Sequence, residues 1–241
     1  MIRARALLFN LAFFLWTAVI GIYGLPVLLA PRRVVMRFGT MWSSVTLRLL
    51  AWTVGLSHEV RGRENLPKGP AIIAMKHQSA WDTLAMPVIF EDVAVVIKRE
   101  LLFVPLYGWY SKRAGSIAVD RSGGAAALKR MLASAKAAAD AGRLIAIFPE
   151  GTRTAVGERR PYHPGVAALY TQLELPLVPV AVNSGLFWGR RAFLKRPGRI
   201  VVEILPPIAP GLPRREMMRE LEGRIETATA RLVAAGESVP A

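Results

Sequence analysis

The pattern of apolar and polar positions changes character twice along this chain. Residues 6–30 carry no charged side chain. As a continuous helix such a run would reach roughly 37 Å, against about 30 Å of bilayer hydrocarbon. Arg3 and Arg5 precede it, and Arg32, Arg33 and Arg37 follow, so flanking charge does not orient it. Gly21, Gly24 and Pro26 weaken its second half as a regular helix, and residues 28–31 make a poor cleavage site. A membrane span and a half-buried anchor are both open. In residues 36–56, Phe38, Met41, Trp42, Val45, Leu49 and Trp52 recur at helical spacing, with Arg37, Thr40, Ser44 and Arg48 off that stripe. This predicts a helix lying in the membrane interface; packing on a soluble core is the alternative.

Beyond His58, which reads as a surface or turn residue, short apolar runs alternate with helical stripes. Strands are predicted near residues 59–61, 71–75, 93–97, 115–121, 143–148, 177–182 and 199–205. Helices are predicted at 81–89, 123–142 and 165–173. A closing helix places Met217, Leu221, Ile225, Thr229 and Leu232 on one face, and the tail after Gly236 is expected to fray. Residues 101–110 are apolar and aromatic, broken by Pro105 and Gly108, and either line an apolar groove or belong to the core. The alternation predicts an α/β fold, a central mixed sheet flanked by helices. The expected division is a membrane-anchoring two-helix hairpin over residues 1–57 and an α/β domain over 58–241.

Composition sharpens this picture. Thirty-two Lys and Arg against seventeen Asp and Glu give a net charge of +15, and 53% of residues are hydrophobic. The natural partner is therefore anionic: nucleic acid, a phosphorylated substrate or an acidic lipid surface. Nucleic-acid readers interleave aromatics with their basic patches, and only Phe187, Trp188 and Phe193 do so here. The chain has no cysteine, which excludes disulfides, thiolate metal sites and a Cys nucleophile. Its histidines at 58, 77 and 163 have no metal-ligand spacing.

The chemistry is expected where residues 71–82, AIIAMKHQSAWD, run from an apolar strand through a polar turn into a helix. That order delivers side chains to the carboxyl edge of a sheet. On a continuous helix, His77 and Asp82 would stand about 140° apart. They meet only if His77 sits in the turn and Asp82 reaches back from the first helical turn, as a base and its orienting carboxylate. Ser79 and Asp82 also spell a helix capping box. A second turn, FPEGTR at 148–153, leaves another strand. Its glycine frees backbone amides to face an anion, and Arg153 can fork two phosphate oxygens. Lys98 and Arg121 also follow strands, so one shared edge would gather three cations beside His77.

These blocks resemble the glycerolipid acyltransferase family, most closely its bacterial 1-acyl-sn-glycerol-3-phosphate acyltransferases. Residues 77–82 resemble the H-x-x-x-x-D motif and residues 115–121 the second block. Residues 148–153 match the third letter for letter, and 178–180 resemble the fourth. Lys76 stands where the first motif usually carries Asn. The resemblance implies transfer of a fatty acyl group from acyl-CoA or acyl-carrier protein to the sn-2 hydroxyl of lysophosphatidic acid, giving phosphatidic acid. It implies His77 as general base and Asp82 as its orienter. Glu150, Gly151 and Thr152 would position the acceptor, and Lys98, Arg121 and Arg153 would hold its phosphate. No cofactor, metal or nucleic acid is implied; the partners are the two substrates and the anionic surface of the bacterial inner membrane, with the site facing the cytoplasm. Other acceptors, such as lyso-ornithine lipid or glycerol 3-phosphate, and a non-catalytic anionic-lipid-binding protein are the alternatives.

Overall fold

The computed structural model describes residues 1–237. Its strands are β1 (Leu56–Arg61), β2 (Ile72–Met75), β3 (Val93–Lys98), β4 (Ile117–Val119), β5 (Leu144–Ile147), β6 (Leu177–Val182) and β7 (Gly198–Ile204). They form one seven-stranded sheet in the order β1-β7-β6-β2-β5-β3-β4. The five strands from β6 to β4 run parallel, while β7 pairs antiparallel to β6 and carries β1 parallel beside it. The sheet is therefore mixed, as the alternation of elements predicts. Strands β2 and β6 are buried at every position, which matches their continuous apolar runs. Strand β1 begins earlier than expected because buried Leu56 already pairs with Gly198; exposed His58 lies within that strand.

The helices are α1 (Ile2–Tyr23), α2 (Arg32–Val54), α3 (Ala80–Ile89), α4 (Tyr107–Arg113), α5 (Gly124–Asp140), α6 (Pro164–Leu173) and α7 (Arg214–Glu237). Helix α3 starts where Ser79 and Asp82 close a capping box, and α6 opens on Pro164, whose missing N–H costs nothing at a helix start. Leu47, Leu50 and Val54 of α2 join Trp81 and Met86 of α3 against one sheet face. Met131 and Ala135 of α5, Val166 and Leu169 of α6, and Met217, Leu221 and Ile225 of α7 cover the other. The stripe read from the closing helix is the one it buries. The segment beyond Glu237, expected to fray, lies outside the described residues.

Two expectations are corrected by packing. Helix α2 packs on the domain, and its fully buried face is Val35, Ser43, Thr46, Leu47, Leu50, Thr53 and Val54. The predicted stripe is divided. Phe38 stacks on Tyr110 at 5.5 Å, and Trp42 donates from Nε1 to Thr17 Oγ1 of α1 at 3.2 Å. Trp52 is left 84% exposed. The buried hydroxyls misled the pattern because Thr46 and Thr53 donate to the carbonyls of Trp42 and Leu49, which lets a polar residue face a core. Residues 101–110 are not core: Leu101, Phe103, Val104 and Trp109 stand exposed, and α4 at the end of this segment packs beside the loop that joins α1 to α2.

Helix α7 is a structural layer of the domain. Leu221→Ala, at a position with no solvent exposure, should lower the unfolding free energy by about 2–5 kcal/mol. Denaturant titration in detergent checks this; a change near zero would show α7 to be an appendage.

Candidate active site

The five parallel strands all end at one edge of the sheet, so the segments that follow them come together there. His77 sits in the turn between β2 and α3. Asp82, three residues into the helix from its cap, turns back beneath it. Imidazole Nδ1 lies 2.9 Å from Asp82 Oδ2, the same oxygen that accepts the N–H groups of Gln78 and Ser79 at 2.8 Å each. The Ser184 hydroxyl, just past the end of β6, donates to Asp82 Oδ1 at 2.5 Å. The orienting contact and the capping box are thus one carboxylate performing both tasks. A carboxylate that accepts on this side assigns the ring proton to Nδ1 and leaves Nε2 as the basic nitrogen. The ring stacks on Phe148 at 3.9 Å, and the His77 side chain keeps 11% of its surface exposed.

The main chain of His77 is held as firmly as its ring. Its N–H donates to Glu150 Oε2 at 2.9 Å, and its carbonyl accepts from the N–H of Thr154 at 2.8 Å. Both ties come from the turn after β5. Glu150, expected to position the acceptor, instead has a fully enclosed side chain, with Oε1 2.6 Å from Lys76 Nζ. Lys76 also meets Glu226 of α7 at 2.7 Å, and the Tyr162 hydroxyl donates to the same Glu226 oxygen at 2.9 Å. Burial, reinforced by the carboxylates of Glu226 and Glu150, holds the Tyr162 phenol far above the ordinary tyrosine range.

The turn itself closes tightly, the Gly151 N–H donating to the Phe148 carbonyl at 2.9 Å. Gly151 adopts φ +63°, and a side chain there would come within 2.7 Å of both Arg121 Nη2 and His163 Cδ2. Arg121 donates to the Gly151 carbonyl, and partial burial lowers its guanidinium pKa. Thr152 and Arg153 are half-buried beside it. Arg153 lies close enough to the Tyr107 phenol to act on it electrostatically, although burial is the stronger influence and raises that hydroxyl's pKa. The fold therefore brings Arg121 and Arg153 to the glycine turn. Lys98 ends β3 in register with Val119, two residues before Arg121, and its exposed side chain has no ion-pair partner among the described residues.

The sequence had not pointed to Ser184, Glu226, Tyr162 or His163. Ser184 had a usable signal, since Asn183-Ser184 follows a fully apolar strand just as Lys76-His77 follows β2. Glu226 and Tyr162 had none, because only the folded layers bring them to Lys76.

Comparison with known proteins agrees with this geometry. Residues 57–183 match the acyltransferase family model. The chain is 37% identical over 201 residues to a 1-acyl-sn-glycerol-3-phosphate acyltransferase of Pseudomonas aeruginosa, covering 83% of this chain and 77% of that one. It is 32% identical over 175 residues to a protein of the same name from Limnanthes alba, covering 72% of this chain and 62% of that one. The crystal structure of the 1-acyl-sn-glycerophosphate acyltransferase from Thermotoga maritima matches with a TM-score of 0.79 over 100% of both chains, at 22% identity, and so shares the fold. With a base-and-carboxylate pair at one strand end, a glycine turn beside it, and a family match across both, the chain belongs to the acyltransferase family.

Proposed function

We propose that this enzyme transfers a fatty acyl group from a thioester, carried by CoA or acyl-carrier protein, to the sn-2 hydroxyl of lysophosphatidic acid, giving phosphatidic acid. The observation that carries the proposal is the juxtaposition of His77 and Asp82 with the Gly151 turn and its two arginines on one sheet edge. His77 Nε2 takes the hydroxyl proton as the acceptor oxygen attacks the thioester carbonyl. Asp82 faces the imidazolium that forms. The tetrahedral intermediate then expels the thiolate, which recovers the proton from His77. Arg153 and Arg121 hold the acceptor phosphate beside the Gly151 turn, and Lys98 adds charge at the rim. Each step uses only the two substrates and this chain's own groups.

The membrane reading is an in-plane anchor. Phe9 of α1 packs edge-on against Trp188 at 5.6 Å, and Asn10 Oδ1 accepts from Lys195 Nζ at 2.5 Å. Burial lowers the pKa of Lys195 to about 8. Near the other end of α1, the Tyr110 hydroxyl donates to the Gly21 carbonyl at 3.1 Å, and Arg113 to the carbonyls of Leu28 and Ala30 at 2.8 and 2.7 Å. A helix docked near its middle, through Phe9 and Asn10, and again near its C-terminal end lies along its domain. It offers one outward face, Leu7, Leu11, Phe14, Leu15 and Ile22, and exposed apolar groups neighbour it at Phe103 and Trp109 and at Phe193 and Leu194. This arrangement supports insertion into a single leaflet, with Arg190, Arg191 and Arg196 at anionic headgroups. A bacterial inner membrane, with the site on the cytoplasmic side where acyl thioesters are made, suits both substrates.

Three outcomes are expected. In an acyl-transfer assay offering several lyso-lipids and both donors, His77→Ala should abolish turnover without unfolding the protein. Asp82→Asn should cost orders of magnitude, as a misheld catalytic histidine does elsewhere. Wild-type turnover in His77→Ala would end the catalytic reading.

Arg153→Lys removes a planar fork but keeps the charge. It should raise the KM for lysophosphatidic acid by roughly ten- to a hundredfold, and that for the donor by less. An equal rise for both substrates would place the phosphate elsewhere.

Replacing Leu11, Phe14 and Leu15 together with serine should reduce partition onto vesicles by roughly a hundredfold or more. The unfolding transition should stay put, since these side chains are 63%, 67% and 67% exposed. Unchanged sedimentation with vesicles would move the anchor to the basic surface.

A further inference from the structure

We propose that Lys76 is a positioning residue for the acyl-transfer base: its ammonium, clamped between Glu150 and Glu226, holds the Glu150 carboxylate on the His77 peptide N–H. The inference rests on His77 as the base proposed above. Lys76 immediately precedes His77 in the chain, where neighbouring side chains of extended backbone point to opposite sides. Its ammonium accordingly meets Glu226 of α7, while the His77 ring meets Asp82 of α3.

The cluster is costly and so calls for a use. Lys76 is 1% exposed, and the Glu150 side chain is fully enclosed. Apolar side chains of similar size would fill the space without stripping charges of water. Counted formally, one ammonium and two carboxylates leave one net negative charge, and the Tyr162 hydroxyl donates to Glu226.

What the cluster holds is specific. Glu150 Oε2 takes the His77 N–H at 2.9 Å, and Oε1 faces Lys76 Nζ at 2.6 Å. Oε1 has no hydrogen-bond donor among the described residues and is compensated only by the ion pair with Lys76, so without the ammonium the Glu150 carboxylate sits near that of Glu226 uncompensated. It would then rotate or take up a proton, and the N–H of His77 would lose its anchor. The ring remains tied to Asp82, so the displacement falls on the main chain that aims Nε2.

The test compares the full-length wild type with Lys76→Gln and with Lys76→Met/Glu226→Gln. The double variant restores the wild-type total of one negative charge. It should still fold, though at a lower midpoint because Glu150 keeps a buried carboxylate without its cation, and its kcat should fall by roughly ten- to a hundredfold, the cost of a displaced catalytic group. Its KM for the lyso-lipid acceptor should stay within about threefold, since binding at the glycine turn is untouched. Amide hydrogen exchange across residues 76–80 should accelerate in both variants as the His77 N–H loses its acceptor. Wild-type kcat in the folded double variant overturns the proposal, and so does unaltered exchange. Failure of the charge-balanced double variant to fold also overturns it, because Lys76 would then be structural. If wild type acylates no lysophosphatidic acid, the functional reading fails on its own, while the exchange measurement still tests the clamp.

Discussion

A carboxylate with no solvent exposure must find all its partners inside the protein, and the catalytic corner is organised around that demand at Asp82. Its two oxygens receive the Gln78 and Ser79 amides, the Ser184 hydroxyl and the His77 ring. An unpaired buried charge would be far more expensive than any one of these contacts is favourable. The corner therefore forms only when the ends of β2 and β6 and the start of α3 are all in place. The same contacts that make the buried charge tolerable orient the imidazole, so stability and pre-organisation coincide at this point.

A second layer lies under the first. The main chain of His77 is held by Glu150 and Thr154, which belong to the turn that also carries Gly151 and Arg153. His77 and the glycine turn are consequently parts of one hydrogen-bonded unit spanning the adjacent ends of β2 and β5. The His77 ring and the Gly151 turn are thereby held at a fixed separation. The Lys76 cluster extends that unit across the sheet to Glu226 of α7.

Helices α1 and α2 are coupled to the same body. Helix α2 contributes Leu47, Leu50 and Val54 to the core that also holds Trp81 of α3, and α1 adds Phe9. Apolar helix α1 is fastened to the domain near its middle by Asn10 and near its C-terminal end by Gly21. The catalytic edge thus keeps a defined posture relative to any surface in which α1 is embedded, which suits an enzyme whose acceptor and product are both lipids.

The alternation of apolar runs and stripes was enough to determine the α/β class, all but a residue or two of most element boundaries, and the pairing of His77 with Asp82. These depend on local periodicity and on a spacing of five residues that only a turn-then-helix geometry can close. The glycine turn was legible for the same reason, since Gly151 at φ +63° is a local conformational requirement. The tertiary structure alone decided the rest. Which face of α2 is buried depended on hydroxyls that bond back to their own helix, a satisfaction invisible to a hydropathy pattern. That Glu150 faces inward, that Ser184 completes Asp82 and that Glu226 reaches Lys76 depended on layers 73, 102 and 150 residues apart in sequence. Local patterns specify elements, but a buried charge is satisfied by whatever the packed layers bring beside it, and that is a property of the whole fold.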